Sequence, residues 1–544
     1  MAQGLLPFQY ESEAGEAGLT GLAGLPLYLE LWRAAGLEQA VARHVAVSGA
    51  QGWSDRQMVS ALVLVNLAGG EGLDDLDRLE GDGGLCRLVR AAEAYGQSRR
   101  ERRAEARRWR RQRSRALPSP HAAGRWLAGF HDAEEEGRRE AGRAFIPIAS
   151  RGVAGLWRVN GELLRAVQAH RPAGQATLDM DATLVETHKR EALYCYKHFK
   201  AYQPLNTWWA EQGLIVHSEF RDGNVPAGHE QLRVLEEATR LLPAGVTKLY
   251  LRSDTAAYQQ NLLKYCAEGK NERFGVIEFA IGADVTPEFK QAVAELPGTA
   301  WQGLDRIVDG ERYAGDQQWA EVGYVPNWAG MSKTAPDYRF LAIREPLREL
   351  DLGDAEQLPF PTISLGTLGR YKLFGVVTNR TLPGDAVIRW QRERCGKSEE
   401  AHAVMKDDLA GGRLPSGLFG ANAGVVGDHG PCPQSQCDDV AAGARRRLGG
   451  AAHEGDAVSS DRPAGSGRAP RAPADRAAFG RRRRSDPRRA RRHPVPATGA
   501  ERMIVRLPPP HLQMPPGAAG HGGAVTAPPG GDSSTMQEGG PLQP

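Results

Sequence analysis

Between residues 176 and 281 short apolar runs alternate with helical segments, and this alternation restricts the chain to a layered α/β fold more than any other feature. Ala176–Thr183, Tyr196–Gln203 and Leu214–Phe220 read as strands, and Asp222-Gly223-Asn224 as a turn. A helix follows from about His229 to Leu242, with Leu232, Leu235, Ala238 and Leu242 on one face. Val246–Arg252 is a strand that runs directly into Ser253-Asp254. Tyr258–Ala267 is helical and Phe274–Ile281 strand-like.

Three strands, a helix, a strand, a helix and a strand form the element order of a ribonuclease-H-like fold. On this reading residues 165–282 and 386–422 make one α/β catalytic core. Residues 283–385 interrupt it as a β-rich insertion ending in the strand Tyr371–Thr378, and Arg389–Leu409 is the final helix. Ahead of the core, residues 1–150 read as a helical region, either a helix-turn-helix module or a plain helical bundle. Ser54 and Gln57 have capping-box spacing before Met58, Ala61, Leu62, Val65 and Ala68. Gly69-Gly70 ends that helix, and Leu73, Leu76 and Leu79 start another. Ser119-Pro120 opens a third, with Trp126, Leu127 and Phe130 as its apolar face.

The segment Gln97–Arg115 carries ten arginines against two glutamates. Helical pairing cannot balance so one-sided a run, and guanidinium groups bind phosphate bidentately. Arg107, Arg108, Arg110 and Arg111 are therefore expected to hold a DNA backbone. The overall charge of +3 conceals this asymmetry. The six cysteines include no CxxC pair, which argues against a zinc site or a disulfide framework. The start MAQGLLPFQYESE lacks a basic and then apolar leader, and the apolar run Met58–Ala68 is too short to span a membrane. A soluble, cytoplasmic protein without membrane contact is expected.

Three carboxylates stand where phosphoryl-transfer chemistry would need them. Asp181 lies on the first strand (LDMDAT), Asp254 at the carboxyl end of a strand (LYLRSDTA), and Glu399 early in a helix (ERCGKSEEAHAVMK). Carboxylates from separate elements can converge on paired divalent ions that activate one oxygen and stabilise another. Mg²⁺, with Mn²⁺ an alternative, suits such oxygen ligands. Asp179 shares a strand face with Asp181, and Glu400 competes with Glu399. Lys406 falls on the helical face of Glu399 and His402; Lys406 reads as a phosphate contact and His402 as packing. Trp208 and Trp209 read as core and edge packing, with base stacking the alternative.

The stretches LDMDATLVETHK, YKHFKAYQPLNTWW, HSEFRDGNVPAG, YLRSDTAAY and RERCGKSEEAHAVMKDDLAGG resemble the DDE transposases of bacterial insertion sequences, in the branch with a β-rich insertion. The resemblance spans roughly residues 5–422. It selects Asp181 over Asp179 through an Asp-small-Thr pattern. It assigns Asp181, Asp254 and Glu399 as metal-binding catalytic residues, with Arg394 and Lys406 on DNA. The family's Tyr-x2-Arg-x3-Glu-x6-Lys signature is met from Glu399 to Lys406, whereas Arg394 lies one residue too far upstream and Gln391 stands in the Tyr position. The implied activity is cleavage at terminal inverted repeats and strand transfer into target DNA, by a dimer in the DNA complex. The rivals are a ribonuclease-H-like nuclease without strand transfer and a non-catalytic DNA-binding protein. No GxxxxGK(S/T) loop calls for a nucleotide cofactor.

Residues 423–544 differ in kind. They hold 17 Arg, no Lys and one aromatic residue, Phe479, and so are expected to be disordered. The resemblance implies an apolar helix here. Permitted codons from Val425 onward, read one base later, give Trp-Trp-Ala-Ile-Met-Val-Leu-Ala-Leu, and the tail is therefore expected to be a frameshifted translation that impairs the protein.

Overall fold

Serine and proline punctuation sets out the N-terminal helices. In the computed structural model, which describes residues 2–3, 9–13, 20–140, 142–308, 311–328, 338–347, 360–365, 369–408, 411–428 and 502–506, these are α1 (Leu25–Ala34), α2 (Leu37–His44), α3 (Asp55–Leu67), α4 (Asp75–Glu80), α5 (Gly83–Ala94), α6 (Arg99–Arg107), α7 (Pro120–Ala128) and α8 (Ala133–Glu136). The chain divides into two units, Met1–Leu507 and Pro508–Pro544, and every described residue belongs to the first. The Ser54–Gln57 capping box forms as expected, with Ser54 N donating to Gln57 Oε1 at 3.0 Å. Ser119 caps α7 with Pro120 at its start, and Trp126, Leu127 and Phe130 are buried. Gln9–Glu13 is extended and pairs with Ala2–Gln3.

A 20-residue helix, α9 (Arg151–His170), follows and runs past residue 165, where the core was expected to begin. Ser150 caps it, and Val153, Leu156, Trp157, Leu163, Leu164 and Val167 form its buried stripe. Gly155 allows α9 to lie against the end of α2, because a Cβ there would stand 2.2 Å from the His44 carbonyl oxygen. Thus α9 ties the N-terminal helices to the sheet.

The sheet strands are β1 (Gln175–Ala182), β2 (Leu205–Trp209), β3 (Leu214–Glu219), β4 (Lys248–Ser253), β5 (Glu278–Ala283), β6 (Gln318–Val322), β7 (Arg339–Pro346) and β8 (Arg370–Thr378). Their order is β6-β7-β8-β5-β4-β1-β2-β3; the short strand Gln302–Gly303 lies outside β6, and Thr362–Ser364 pairs with β8. β4 runs parallel to both β1 and β5, and the other pairs are antiparallel. Helices α10 (Gln231–Leu241) and α11 (Gln260–Ala267) supply the crossovers into β4 and β5. Residues 283–385 hold the helix α12 (Pro287–Ala294) and then strands that extend the same sheet from β5.

Two elements correct the sequence reading. The strand expected at Tyr196–Gln203 is mostly a turn: His198 takes φ +64°, only Ala201–Tyr202 is extended, and Leu205–Trp209 fills the place beside β1. The helix expected at Arg389–Leu409 is broken. α13 (Gly384–Arg392) ends at Glu393, and α14 (Lys397–Ala403) restarts after Gly396, whose φ of +85° favours glycine, then passes into a π turn over Val404–Asp408.

α15 (Phe419–Asp428) runs across residue 423, where the segment expected to be without structure begins; it buries Ala421, Ala423 and Val426 and packs against α7 and α9. Arg502–Arg506 pairs with Gln9–Glu13; it contains Met503-Ile504-Val505, the kind of run that favours an extended chain. The rest of that segment lies outside the described residues. Among the described residues no helix is long and apolar enough to cross a membrane.

Candidate active site

Parallel pairing of β1 with β4 sets Asp179 opposite Arg252 and Met180 opposite Ser253, so both strands end together. Asp181 on β1 and Asp254 just after β4 therefore emerge side by side. Asp254 Oδ1 accepts from Ala256 N at 3.0 Å and caps the 3-10 turn Thr255–Ala257, which fixes its direction. Ser253 Oγ donates to the Met180 carbonyl at 2.8 Å, closing the two strand ends.

Arg252 decides how the final helices meet this edge. It is 2% exposed and grips Asp179 bidentately, Nε–Oδ1 at 2.6 Å and Nη2–Oδ2 at 2.9 Å. Its Nη1 donates to the Trp390 carbonyl and to Glu393 Oε2, both at 2.8 Å. Gln391 Nε2 adds a bond to the Ser253 carbonyl at 3.2 Å. α13 is thereby pinned to the carboxyl edge of the sheet, and α14 is delivered over β1. The sequence left Asp179 and Asp181 as competitors. Here Asp179 is consumed in a buried clamp, and Asp181 is the half-buried carboxylate on the open side.

Asp181 has its carboxyl pushed up to about 6, by burial first and then by the negative charges of Asp254 and Glu399, against the opposing pull of Arg394. Asp254 and Glu399 are the carboxylates that raise it most. Such a surplus of negative charge on oxygen donors fits a divalent cation. Among the described residues, however, no three His, Cys, Asp or Glu side chains are gathered closely enough to chelate one. Glu399 is exposed and its Oε2 accepts from Gly396 N.

Arg394, expected on DNA, stands in the break between α13 and α14, 12% exposed, with Nη1 at 3.5 Å from Asp181 Oδ2. His402 and Lys406 follow Glu399 on α14 and its π turn. Burial, then Lys406, brings the His402 imidazole down to about 4 despite Glu399. Trp209 is core, and Trp208 is half-buried beside Asp179 and Asp181.

The arginine-rich segment divides in two. Arg102, Arg103, Arg107, Arg110 and Arg111 are exposed. Arg108 instead donates to the carbonyls of Gly52, Gly49 and Trp53 at 2.9–3.0 Å. Arg108 thus spends its Nε and Nη2 donors within the protein. Arg113 pairs with Glu93 at 2.5 Å and lies over the Trp53 ring, and Arg115 pairs with Asp77 at 2.7 Å. Nothing in the sequence separates the two sets, because the carbonyls and carboxylates that claim the second set come from α4, α5 and the loop before α3.

Residues 12–325, more than half of the chain, match the family described as Transposase DDE domain group 1. The chain belongs to this family of DDE transposases. Asp181 and Asp254 of the transposase lie within the matched residues, and Glu399 lies beyond them. A search of curated proteins finds no match. One similar solved structure is a piggyBac transposase synaptic complex with hairpin DNA, 8% identical over 81% of this chain and 81% of that one, with a TM-score of 0.36.

Proposed function

We propose that the chain is an insertion-sequence transposase of bacterial type that cuts DNA at terminal inverted repeats and joins the freed ends to target DNA. Asp181, Asp254 and Glu399 would hold Mg²⁺ or Mn²⁺ at the carboxyl edge of a ribonuclease-H-like core. The observation that supports this reading is the meeting of β1, β4 and α14, which brings Asp254 and Glu399 within electrostatic reach of the buried Asp181 carboxyl. Divalent ions bound there would polarise the phosphate and activate the attacking oxygen. The protein's own share is positional: the Arg252 clamp holds the platform, Asp254 is fixed by Ala256 N–H, and Lys406 would contact a phosphate. Arg394 would exchange Asp181 for DNA once a cation neutralises the carboxylates. Exposed Arg107, Arg110 and Arg111 would track the DNA backbone from the helical region, and two copies would hold both ends.

The test is a strand-transfer assay with labelled element ends and Mg²⁺. Asp181→Ala, Asp254→Ala or Glu399→Ala should each abolish cleavage while end-DNA binding persists. Hydrolysed ends without joined product would favour a nuclease, and footprinting without nicking would favour a DNA-binding protein.

We also infer that translation leaves the ancestral frame near Gly424, which would remove an apolar helix and weaken activity. The loss of Lys and aromatic residues after that point supports this reading. If neither alternative phase of the gene beyond codon 424 encodes a continuous apolar helix, the tail is instead a genuine basic extension.

A further inference from the structure

Asn206 lies on β2 directly opposite Asp181 on β1. Residues opposite one another in an antiparallel pair share a face, so Asn206 stands on the side of Asp179 and Asp181 that α14 covers. It is 4% exposed, yet neither Oδ1 nor Nδ2 has a hydrogen-bond partner among the described residues. Buried amides are nearly always paired, and a site that only needed filling beside Trp208 would take an apolar side chain at lower cost. A void of about 10 Å³ adjoins it, lined also by Asp179, Asp181, Trp208 and His402. That is close to the space of a single water. At its carboxylate Asp181 has Arg394 at 3.5 Å and the neighbouring Ala182 N–H.

We propose that Asn206 is a positioning residue for the metal site, its amide holding one water in this void that hydrogen-bonds to Asp181 and fixes which carboxylate oxygen faces the cation. This rests on the metal-binding reading above. The amide suits the task chemically. Nδ2 donates and Oδ1 accepts, so Asn206 can orient a water whichever way the carboxylate and His402 require. It adds no charge to a site already rich in carboxylates. Groups that orient metal ligands in this way typically change metal affinity about 10–100-fold when removed.

The test is calorimetric titration of Mn²⁺ alone into the metal-free full chain, with thermal unfolding of each variant as a control. Asn206→Leu keeps the volume and removes the hydrogen bonds, and should bind Mn²⁺ at least tenfold more weakly with an unchanged unfolding temperature. Asn206→Ser keeps a donor and leaves room for a second water, and should recover most of the affinity. Asn206→Leu binding within twofold of wild type overturns the inference. Equal loss in both variants together with a lowered unfolding temperature also overturns it, since the role is then packing. If the wild-type chain binds no Mn²⁺, the metal reading falls and the inference with it.

Discussion

Replacing Asp179 tests whether the Arg252 clamp holds the carboxyl edge of the sheet together. The side chains of Asp179 and Arg252 are 1% and 2% exposed, and they share two short hydrogen bonds. Removing one partner of such a pair strands the other charge, at a cost of about 3–5 kcal/mol. Asp179→Asn should fall at the low end, about 3 kcal/mol, because Arg252 keeps Glu393 and the Trp390 carbonyl. Arg252→Met should fall at the high end, since it leaves a buried carboxylate and frees α13. Replacing both, as Asp179→Leu with Arg252→Met, removes the stranded charge, so the double variant should lose less than the sum of the single losses. A coupling energy of about 2–3 kcal/mol is expected for groups in direct contact. Urea unfolding of the three variants and the wild type closes the cycle. A cost below about 1 kcal/mol for Asp179→Asn, within the range of exposed ion pairs, would refute the clamp. Asp181→Asn, two residues away on the same strand, should leave stability almost unchanged.

Changing Arg102, Arg107, Arg110 and Arg111 together to Ala should weaken binding to any DNA duplex and flatten its salt dependence by up to about 0.9 log units for each phosphate no longer neutralised, read from affinity against salt concentration. Arg108→Ala should instead lower the unfolding temperature, because three carbonyls lose their donor. Gly155→Ala should cost about 1–3 kcal/mol in urea unfolding, because its Cβ would collide with the His44 carbonyl where α9 crosses α2. Burial pushes the Glu237 carboxyl up, but His217 and Arg233 overcome that and bring it down to about 2. A carboxyl depressed in the folded state contributes stability above its ordinary range and loses it as pH falls from about 4.5 towards 2. Glu237→Gln should therefore flatten the fall in unfolding free energy between pH 5 and pH 3.

Local chemistry was legible where it acts within a few residues. The caps at Ser54 and Ser119, the apolar faces of α3 and α7, and the strands around Asp181 and Asp254 follow from periodicity and short-range hydrogen bonding. Side-chain spacing alone decides those elements. α9 carried the same signals, with Ser150 before Val153, Leu156 and Trp157, and could have been found. The turn at His198 and the break at Gly396 were not legible, because each depends on one residue adopting positive φ inside an otherwise regular pattern. The sequence by itself determined which residue types reach the carboxyl edge of the sheet, and that three of them are carboxylates. Only the tertiary structure decided what each does. Asp179 and Asp181 have the same chemistry and face the same way, and they part only because Arg252, 73 residues further on, reaches one of them. Arg107 and Arg108 differ for the same reason, since carbonyls from a distant loop meet Arg108 alone. Charge and hydrogen bonding act through space, so the partner that fixes a side chain's role can lie anywhere along the chain.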